Sequence, residues 1–191
     1  MKHLMKKLKI PERGKNMKKI LIVVDMQKDF VDGALGSAEA VGIVDDVVNK
    51  IQSFDGDIIV TYDTHPENYM ETQEGKNLPV PHCIKGTDGW KLDSKVQMAL
   101  DGKNYKSIEK PTFGSVELPE YIKENYNPEE IEIELVGLCT DICVVSNALL
   151  LKADFPETKI SVDSKCCAGV TPESHNAALT TMKMCQVNVI E

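Results

Sequence analysis

Short apolar runs alternate along the chain with longer segments that repeat apolar residues at helical spacing. The runs are rich in isoleucine and valine and apolar at most positions, which is typical of strands buried on both faces of a parallel sheet. The alternation of strand and helix therefore predicts an α/β fold with right-handed crossovers. The predicted strands are 20–24, 57–62, 105–109, 131–137, 158–163 and 187–190, and the predicted helices are 38–53, 92–100, 117–125, 141–153 and 172–184.

The segment 38–53 carries the clearest helical pattern. Its apolar residues recur at intervals of three and four, so that one face of the helix is apolar. These residues are Val41, Val44, Val48 and Ile51. In contrast, residues 63–90 form one long irregular stretch, and a loop of that length inside a compact domain is usually functional.

The composition is that of an acidic globular protein with a basic start. The 191 residues are 42% hydrophobic and 27% charged, which fits one domain with a real core. Residues 1–19 hold eight Lys or Arg and one acid, so the remainder carries a net charge of −15. An acidic body argues against nucleic acid as the main partner. We therefore predict a single domain over 17–191 behind a basic extension over 1–16.

The extension has three interpretations: an amphipathic membrane contact, a transit-like segment or a solvated tail. We favour the tail, which could be disordered, because loose charged termini are common. The sequence shows no secretory signal and no stretch of roughly 20 apolar residues that could span a membrane. A chain of this length also needs no disulfides. These observations predict a cytoplasmic protein with six reduced cysteines and no membrane partner.

Reactive side chains stand just past the ends of four predicted strands. They are Asp25, Asp63, Lys110 and Cys143. Ligands bind at the carboxyl ends of the strands in open α/β sheets, so these side chains are expected to meet at one edge. Each also has an ordinary interpretation, such as a turn residue for Asp25, a solvated surface lysine for Lys110 and a buried core cysteine for Cys143.

Cys143 has the position of a nucleophile. It lies near the predicted start of helix 141–153, where unpaired N–H groups and the helix dipole lower the pKa of a thiol. Asp25 could accept the thiol proton, and Lys110 could steady the resulting charge. Cys139 and Cys143 are spaced CxxxC and not CxxC, which makes a redox protein that uses its thiols the weaker alternative.

The irregular stretch 63–90 contains a candidate metal-binding set. The set is Asp63, His65 and His82. Three such ligands with open coordination positions suit a catalytic or substrate-binding Zn, Fe or Mn, and Glu71 or Glu74 could add an oxygen ligand. The ordinary interpretation is a turn before a proline and a histidine packed beside a cysteine. His3 and His175 have no visible partner and are not expected to be ligands.

Five segments together resemble the nicotinamidase and isochorismatase-like cysteine hydrolase family. The likeness runs over nearly all of residues 18–190 in the family's order, and the segment around Cys143 is highly specific. The segments are ILIVVDMQKDF, DTH at 63–65, PHCIKGTDGW at 81–90, EKPTFGS at 109–115 and GLCTDICVVSNAL at 137–149. The resemblance implies a three-layer α-β-α sandwich with a six-stranded, mostly parallel sheet.

The resemblance also implies a role for each site residue. It implies a triad of Asp25, Lys110 and the nucleophile Cys143, and an oxyanion hole from the N–H groups of Cys139 and Cys143 after a cis peptide bond. It implies that Phe30 lines the pocket for the substrate ring. The residues that match the family's divalent metal ligands are Asp63, His65 and His82, with Zn as the expected ion.

Two features of the sequence distinguish among the known activities of the family. True isochorismatases lack the nucleophilic cysteine, and the metal set favours a nicotinamidase over hydrolases of carbamoyl amides. We therefore predict that the protein hydrolyses nicotinamide to nicotinate and ammonia through a cysteine acyl-thioester, in NAD salvage. The alternative is a related cysteine amidase that acts on another small amide or ureido compound. Family members often assemble, so we also expect a homo-oligomer.

One departure from the family pattern affects the expected substrate. Nicotinamidases of the family often carry an aromatic residue, commonly Trp, three positions before the metal-binding histidine of the PHC segment. This chain has Pro79 at that position. A ring substrate would then lose one stacking contact, worth about 0.5–1.5 kcal/mol, unless Trp90, Tyr69 or Phe113 replaces it.

Overall fold

Six parallel strands form one sheet with helices on both faces. The computed structural model describes residues 17–191, so the predicted extension over 1–16 lies outside the described residues. The strands are β1 (Lys18–Val24), β2 (Asp57–Asp63), β3 (Tyr105–Lys110), β4 (Ile131–Leu138), β5 (Lys159–Ala168) and β6 (Asn188–Ile190). Their order in the sheet is β3-β2-β1-β4-β5-β6, which confirms the predicted fold class.

The helices lie in two layers, one on each face of the sheet. They are α1 (Lys28–Val31), α2 (Ala38–Gly42), α3 (Val44–Ser53), α4 (Gln73–Asn77), α5 (Ser94–Leu100), α6 (Glu117–Asn125), α7 (Val145–Asp154) and α8 (Pro172–Met184). Alternate residues of β1 enter opposite cores, because successive side chains of a strand point to opposite faces. Ile20 and Ile22 pack with α6, α7 and α8, and Leu21 and Val23 pack with α1, α2, α3 and α5.

The predicted helix 38–53 is two helices. The break falls at Ile43, directly after Gly42, and glycine costs a helix about 1 kcal/mol relative to alanine. Ile43 is buried there, whereas Val41 is 52% exposed, so the prediction of one continuous apolar face was wrong at Val41. The remaining positions of that face, Val44, Val48 and Ile51, are buried or partly buried as predicted.

Strand β5 continues past the predicted end at residue 163. Its pairing with β4 shifts register between Leu135 and Gly137, and the strand then runs on to Ala168. Cys166 and Cys167 consequently lie in a strand and enter opposite cores. The polar residues at 163–165 concealed this extension in the sequence.

Two short helices occupy the stretch that the sequence pattern left irregular. A 3-10 turn spans Tyr69–Glu71, and α4 follows it directly.

The strand-to-helix turn that holds Cys143 is a π-helical turn over Thr140–Val144, and α7 begins only after it. Among the described residues, no helix is both long and apolar enough to cross a membrane.

Gly137 allows β4 to pass close to β1. A Cβ atom at this position would lie 2.1 Å from the carbonyl oxygen of Val24, and φ is +115°. We expect Gly137→Ala to lower the free energy of unfolding, measured in urea, by about 2–5 kcal/mol, because neither backbone can move away. Gly102→Ala is the control, since Gly102 also has a positive φ but faces open space. It should lose only about 1 kcal/mol, and equal losses would contradict the close approach.

Candidate active site

The structure brings together the acid, the amine and the thiol that the sequence placed at strand ends. Lys110 Nζ lies 2.6 Å from Asp25 Oδ2 and 3.3 Å from Cys143 Sγ. Asp25 follows β1, Lys110 ends β3, and Cys143 lies in the π-helical turn after β4. All three side chains are buried. The ordinary interpretation of Lys110 as a solvated surface residue was therefore wrong.

Asp25 is oriented by its neighbour on β2. Thr61 Oγ1 donates a 2.6 Å hydrogen bond to Asp25 Oδ1, and the backbone N–H of Asp25 donates to the Thr61 carbonyl. Asp25 itself has φ of +48°, a left-handed conformation that non-glycine residues adopt rarely. Thr61 was not predicted as a site residue, although a hydroxyl within an apolar strand was a usable signal.

Lys110 lies among three groups that favour its charged form. Burial alone would lower the pKa of Lys110, but Asp25, Cys143 and Asp63 together raise it above its ordinary value. Burial raises the pKa of Asp25, and the charge of Lys110 opposes part of that increase. A permanently charged amine therefore holds one carboxylate beside the thiol.

The thiol of Cys143 is not acidic in this state. Burial and the neighbouring charge of Asp25 raise its pKa well above the ordinary value, and Lys110 offsets only part of that increase. The expectation of a low pKa at a helix start was therefore wrong, because desolvation outweighs the helix dipole at a buried site. The raised pKa favours the protonated thiol, which lies 3.3 Å from Lys110 Nζ.

Asn147 fixes the turn that carries Cys143. Its side-chain amide donates to the carbonyl oxygens of Cys143 at 2.8 Å and Phe113 at 3.2 Å, and it accepts from the Ser115 N–H at 2.9 Å. The same turn is attached to α8, because Thr140 Oγ1 and His175 Nδ1 are 2.8 Å apart. His175 thus has a partner, contrary to expectation, but is not among the candidate metal ligands.

The peptide bond before Cys139 is cis, as the family resemblance implies. Cys139 is half-buried, and its carbonyl oxygen accepts hydrogen bonds from the N–H groups of Ile142 and Val144. These bonds close the π-helical turn around Cys143. The oxyanion-hole role of Cys139 and Cys143 stays a prediction.

The predicted metal ligands form a second buried cluster beside the first. One ligand atom from each of Asp63, His65 and His82 lies within 4.8 Å of the others. His82 Nδ1 is 2.8 Å from the Val80 carbonyl oxygen, which can only accept a hydrogen bond. The ring therefore donates from Nδ1, and Nε2 is the nitrogen that faces the cluster.

The donor set fits a divalent metal ion. His65 Nε2 lies 2.9 Å from Asp63 Oδ2, yet this buried nitrogen makes no hydrogen bond with any residue of 17–191. His82 Nε2 lies 3.6 Å from the same carboxylate oxygen. Two imidazole nitrogens and a carboxylate oxygen that converge in this way are the ligands that zinc prefers.

Of the two glutamates considered as further ligands, only Glu74 faces the cluster. Glu74 Oε1 lies 3.6 Å from His65 Nε2 and 3.8 Å from His82 Nε2. Glu71 is exposed and accepts a hydrogen bond from Asn68. Helix α4 therefore presents one further carboxylate to the candidate metal ligands.

Aromatic rings pack around the two histidines. Tyr69 is fully buried, and its ring centroid lies 4.7 Å from that of His65 and 5.1 Å from that of His82. Phe30, the predicted pocket residue, lies 5.5 Å from His82. Trp90 instead packs on Tyr62, which projects from the face of β2 opposite to Thr61 and Asp63.

The structure therefore separates the three residues that could compensate for Pro79. Tyr69 lies at the cluster, whereas the Trp90 ring donates to Thr64 and packs on Tyr62. Phe113 is 48% exposed on the segment that follows Lys110. Tyr69 supports the histidines directly, and Phe113 is the exposed aromatic residue nearest along the chain to Lys110.

Comparison with known proteins agrees with this fold. The family model of the isochorismatase domain matches residues 19–191. The chain belongs to the isochorismatase family. A Bacillus subtilis member described as an uncharacterized isochorismatase family protein, PncA, is 32% identical over 177 residues, which cover 86% of this chain and 93% of that protein. The family and fold predicted from the sequence are both confirmed.

Solved structures of nicotinamidases and pyrazinamidases superpose over almost the whole chain. A nicotinamidase/pyrazinamidase, PncA, from Bacillus subtilis is 29% identical and gives a TM-score of 0.81, covering 92% of this chain and all of that one. A pyrazinamidase of Pyrococcus horikoshii in complex with zinc is 26% identical with a TM-score of 0.77, covering 91% and 99%. The fold is thus shared over almost the whole length of each chain.

Proposed function

We propose that this isochorismatase family protein is a nicotinamidase, which hydrolyses nicotinamide to nicotinate and ammonia for NAD salvage. The observation that carries the proposal is the buried contact of Asp25, Lys110 and Cys143 beside three convergent metal-ligand side chains. The names of the Bacillus subtilis and Pyrococcus horikoshii proteins support the substrate class, since both are named as amidases of aromatic ring amides.

The first chemical step uses the proton of the Cys143 thiol. Asp25 removes this proton, and the thiolate attacks the carbon of the amide to form a tetrahedral intermediate. Lys110 stays charged and holds the carboxylate in place while the thiolate forms. The N–H groups of Cys139 and Cys143 receive the negative charge that develops on the amide oxygen, which is the interaction that lowers such barriers most.

In the second half of the reaction, Asp25 first acts as an acid and then again as a base. Asp25 returns the proton to the departing nitrogen, ammonia leaves, and an acyl-thioester remains on Cys143. Asp25 then takes a proton from a water molecule that attacks the thioester, which releases nicotinate and regenerates the thiol. Phe30 lines the ring pocket in this scheme, next to His82.

We propose zinc as the ion held by Asp63, His65 and His82, with Glu74 as a fourth ligand. A bound divalent ion would supply a Lewis-acidic position that holds the ring nitrogen of the substrate. Tyr69 packs against both histidines and donates to the Leu78 carbonyl, so the protein contributes a rigid wall on that side. Fe or Mn would suit the same donor set.

Metal removal tests the proposed role of this cluster. We expect dialysis against a chelator to reduce ammonia release from nicotinamide by about 100-fold or more, because the substrate loses its anchor. Zinc should restore the rate, and Mn and Fe are tested alongside it. Full activity of the metal-free protein would contradict the assignment of Asp63, His65 and His82.

A related amidase that acts on another small amide is the second candidate. Pro79 favours it, because the residue is exposed and cannot provide the stacking face that nicotinamidases commonly have there. Ammonia release from nicotinamide, pyrazinamide, a linear amide and a ureido compound separates the candidates. We expect the ring amides to have the highest kcat/KM, whereas a clear preference for the ureido compound would support the alternative.

The non-enzymatic redox alternative is less well supported. Cys166 and Cys167 project into opposite cores, and burial raises the pKa of Cys139 to about 12. Thiols with a raised pKa exchange slowly, because the thiolate is the reactive form. The cytoplasmic location and the homo-oligomer stay predictions.

A further inference from the structure

Gln27 connects the two clusters, although no role was predicted for it. The residue is fully buried. Its side-chain nitrogen donates to the carbonyl oxygens of Asp63 at 2.9 Å and Trp90 at 2.8 Å, and its side-chain oxygen accepts from the Asp63 N–H at 2.7 Å. Within residues 17–191, every hydrogen-bond partner of this amide is a backbone group, so Gln27 fixes the position of the chain and not the orientation of another side chain.

The paired contacts with Asp63 replace a missing strand neighbour. Strand β1 pairs with β2 up to Val24 and Thr61, and the chain then turns away at Asp25 with its positive φ. The last residue of β2 would thereby lose its backbone partner on that side. The amide of Gln27 donates to Asp63 and accepts from it as a neighbouring peptide group would, and on the other side Asp63 is in register with Lys110 of β3.

The position of Asp63 matters because its two carboxylate oxygens serve different clusters. Oδ1 lies 3.3 Å from Lys110 Nζ, and Oδ2 lies 2.9 Å from His65 Nε2. A small rotation of the Asp63 backbone would move both oxygens at once. The acid, lysine and thiol cluster and the metal-ligand cluster therefore share one residue whose backbone is held by Gln27.

The third hydrogen bond of Gln27, to the Trp90 carbonyl, also restrains the segment that carries His82. The Trp90 carbonyl, which accepts from Gln27, ends the PHCIKGTDGW segment. Asp29, two residues after Gln27, accepts from the backbone N–H of Cys83 at 2.8 Å, directly after His82. The short segment after Asp25 thus holds both parts of the chain that supply ligands.

We propose that Gln27 is a positioning residue for the metal site, which sets the geometry of Asp63 without contacting metal or substrate. This inference rests on the proposed function, because it assumes that Asp63, His65 and His82 bind a divalent ion. Hydrogen-bond partners that orient metal ligands typically change metal affinity or activity by about 10- to 100-fold. Gln27 differs from the usual case because it acts through the backbone of the ligand and not through its side chain.

Metal affinity of purified variants tests the inference. Gln27→Met keeps the volume and removes all three hydrogen bonds, and Gln27→Asn keeps the amide but shortens its reach. Zn²⁺ dissociation constants are measured by competition with a chromophoric chelator, and the visible absorption of the Co²⁺-loaded protein reports ligand geometry. We expect both variants to bind Zn²⁺ about 10- to 100-fold more weakly than the unmodified protein, with an altered Co²⁺ spectrum.

Thr158→Val is the matched control for the loss of a buried hydrogen bond. Thr158 is buried and donates to the Pro128 carbonyl, just before β5 and at the opposite end of the sheet from the site. It should lose stability but keep the Zn²⁺ affinity and the Co²⁺ spectrum. All proteins are compared at a temperature where circular dichroism shows each one folded, and Gln27→Asn keeps the test open if Gln27→Met does not fold.

The outcomes separate this inference from the proposed function. If the Gln27 variants bind Zn²⁺ as tightly as Thr158→Val does, with an unchanged Co²⁺ spectrum, the positioning role is wrong and the metal site stands. If the unmodified protein itself binds neither ion at micromolar concentrations, the metal site of the proposed function fails, and the inference fails with it.

Discussion

Replacing Cys143 by alanine should abolish ammonia release from nicotinamide. The expected loss in kcat is at least about 10⁴-fold, because no other group can form the covalent bond on which the mechanism depends. The side chain is small, and its neighbours Asp25 and Lys110 keep their ion pair, so the variant should remain folded. Coupled measurement of ammonia gives the rate, and equilibrium dialysis should show that nicotinamide still binds.

A second cysteine provides the control for this substitution. Cys185 is exposed at the end of α8, far along the chain from the site. Cys185→Ala should retain the full rate. If Cys143→Ala retained more than about one hundredth of the rate, the loss would fit a supporting role in general acid–base catalysis and not a nucleophile.

Replacing Lys110 by methionine should damage both activity and stability. Two buried carboxylates, Asp25 and Asp63, would then face each other without the amine that lies 2.6 Å from one and 3.3 Å from the other. Removing one partner of a buried ion pair costs about 3–5 kcal/mol of folding free energy. Asp25 would take up a proton and could no longer accept one from Cys143, so turnover should fall by about 10³-fold or more.

Lys50 provides the matched control for Lys110, because it also lies between two carboxylates but is not part of the candidate active site. Its ammonium also lies between two carboxylates, at 2.6 Å from Glu134 and 2.7 Å from Asp163, but its side chain is 25% exposed. Lys50→Met should cost only about 1 kcal/mol, because partly solvated ion pairs contribute little, and it should leave the rate unchanged. Urea unfolding and the ammonia assay are applied to both variants. Equal stability losses would show that burial does not set the energetic role of Lys110.

The position of the reactive groups could be predicted from the sequence, and their chemical state could not. Asp25, Lys110 and Cys143 stand at strand ends, and a parallel sheet brings such ends to one edge. The pKa of Cys143 depends instead on how completely the folded chain excludes water from the thiol. That burial arises from residues spread over the whole sequence, so a local helix-dipole argument gave the wrong direction.

The supporting residues were hidden because their partners are distant in sequence. Thr61 contacts Asp25 across 36 positions, Gln27 contacts Asp63 across 36, and Asn147 contacts Phe113 across 34. None of these side chains belongs to a spacing that indicates chemistry. Their common signal is a polar residue at a position that the apolar pattern assigns to the core, and buried polar groups almost always have a hydrogen-bond partner.

Errors in the predicted elements have local causes. The break at Ile43 follows a glycine that a helical period can tolerate, and the extension of β5 to Ala168 crosses polar residues that an apolar-run criterion excludes. The metal ligands were predicted as a set because two histidines and an aspartate flank one long loop. The choice of Glu74 over Glu71 required the turn of α4, which only the structure supplies.

Detection of the acyl-enzyme tests the central claim most directly. The protein is mixed with excess nicotinamide, quenched in acid on a millisecond timescale, digested, and examined by mass spectrometry for a nicotinoyl group. The mechanism predicts this modification on the peptide that contains Cys143, with formation and decay matching the rate of turnover, and none on that peptide in Cys143→Ala. Formation of nicotinate at the normal rate with no such adduct at any quench time, or an adduct on a different cysteine, would contradict it.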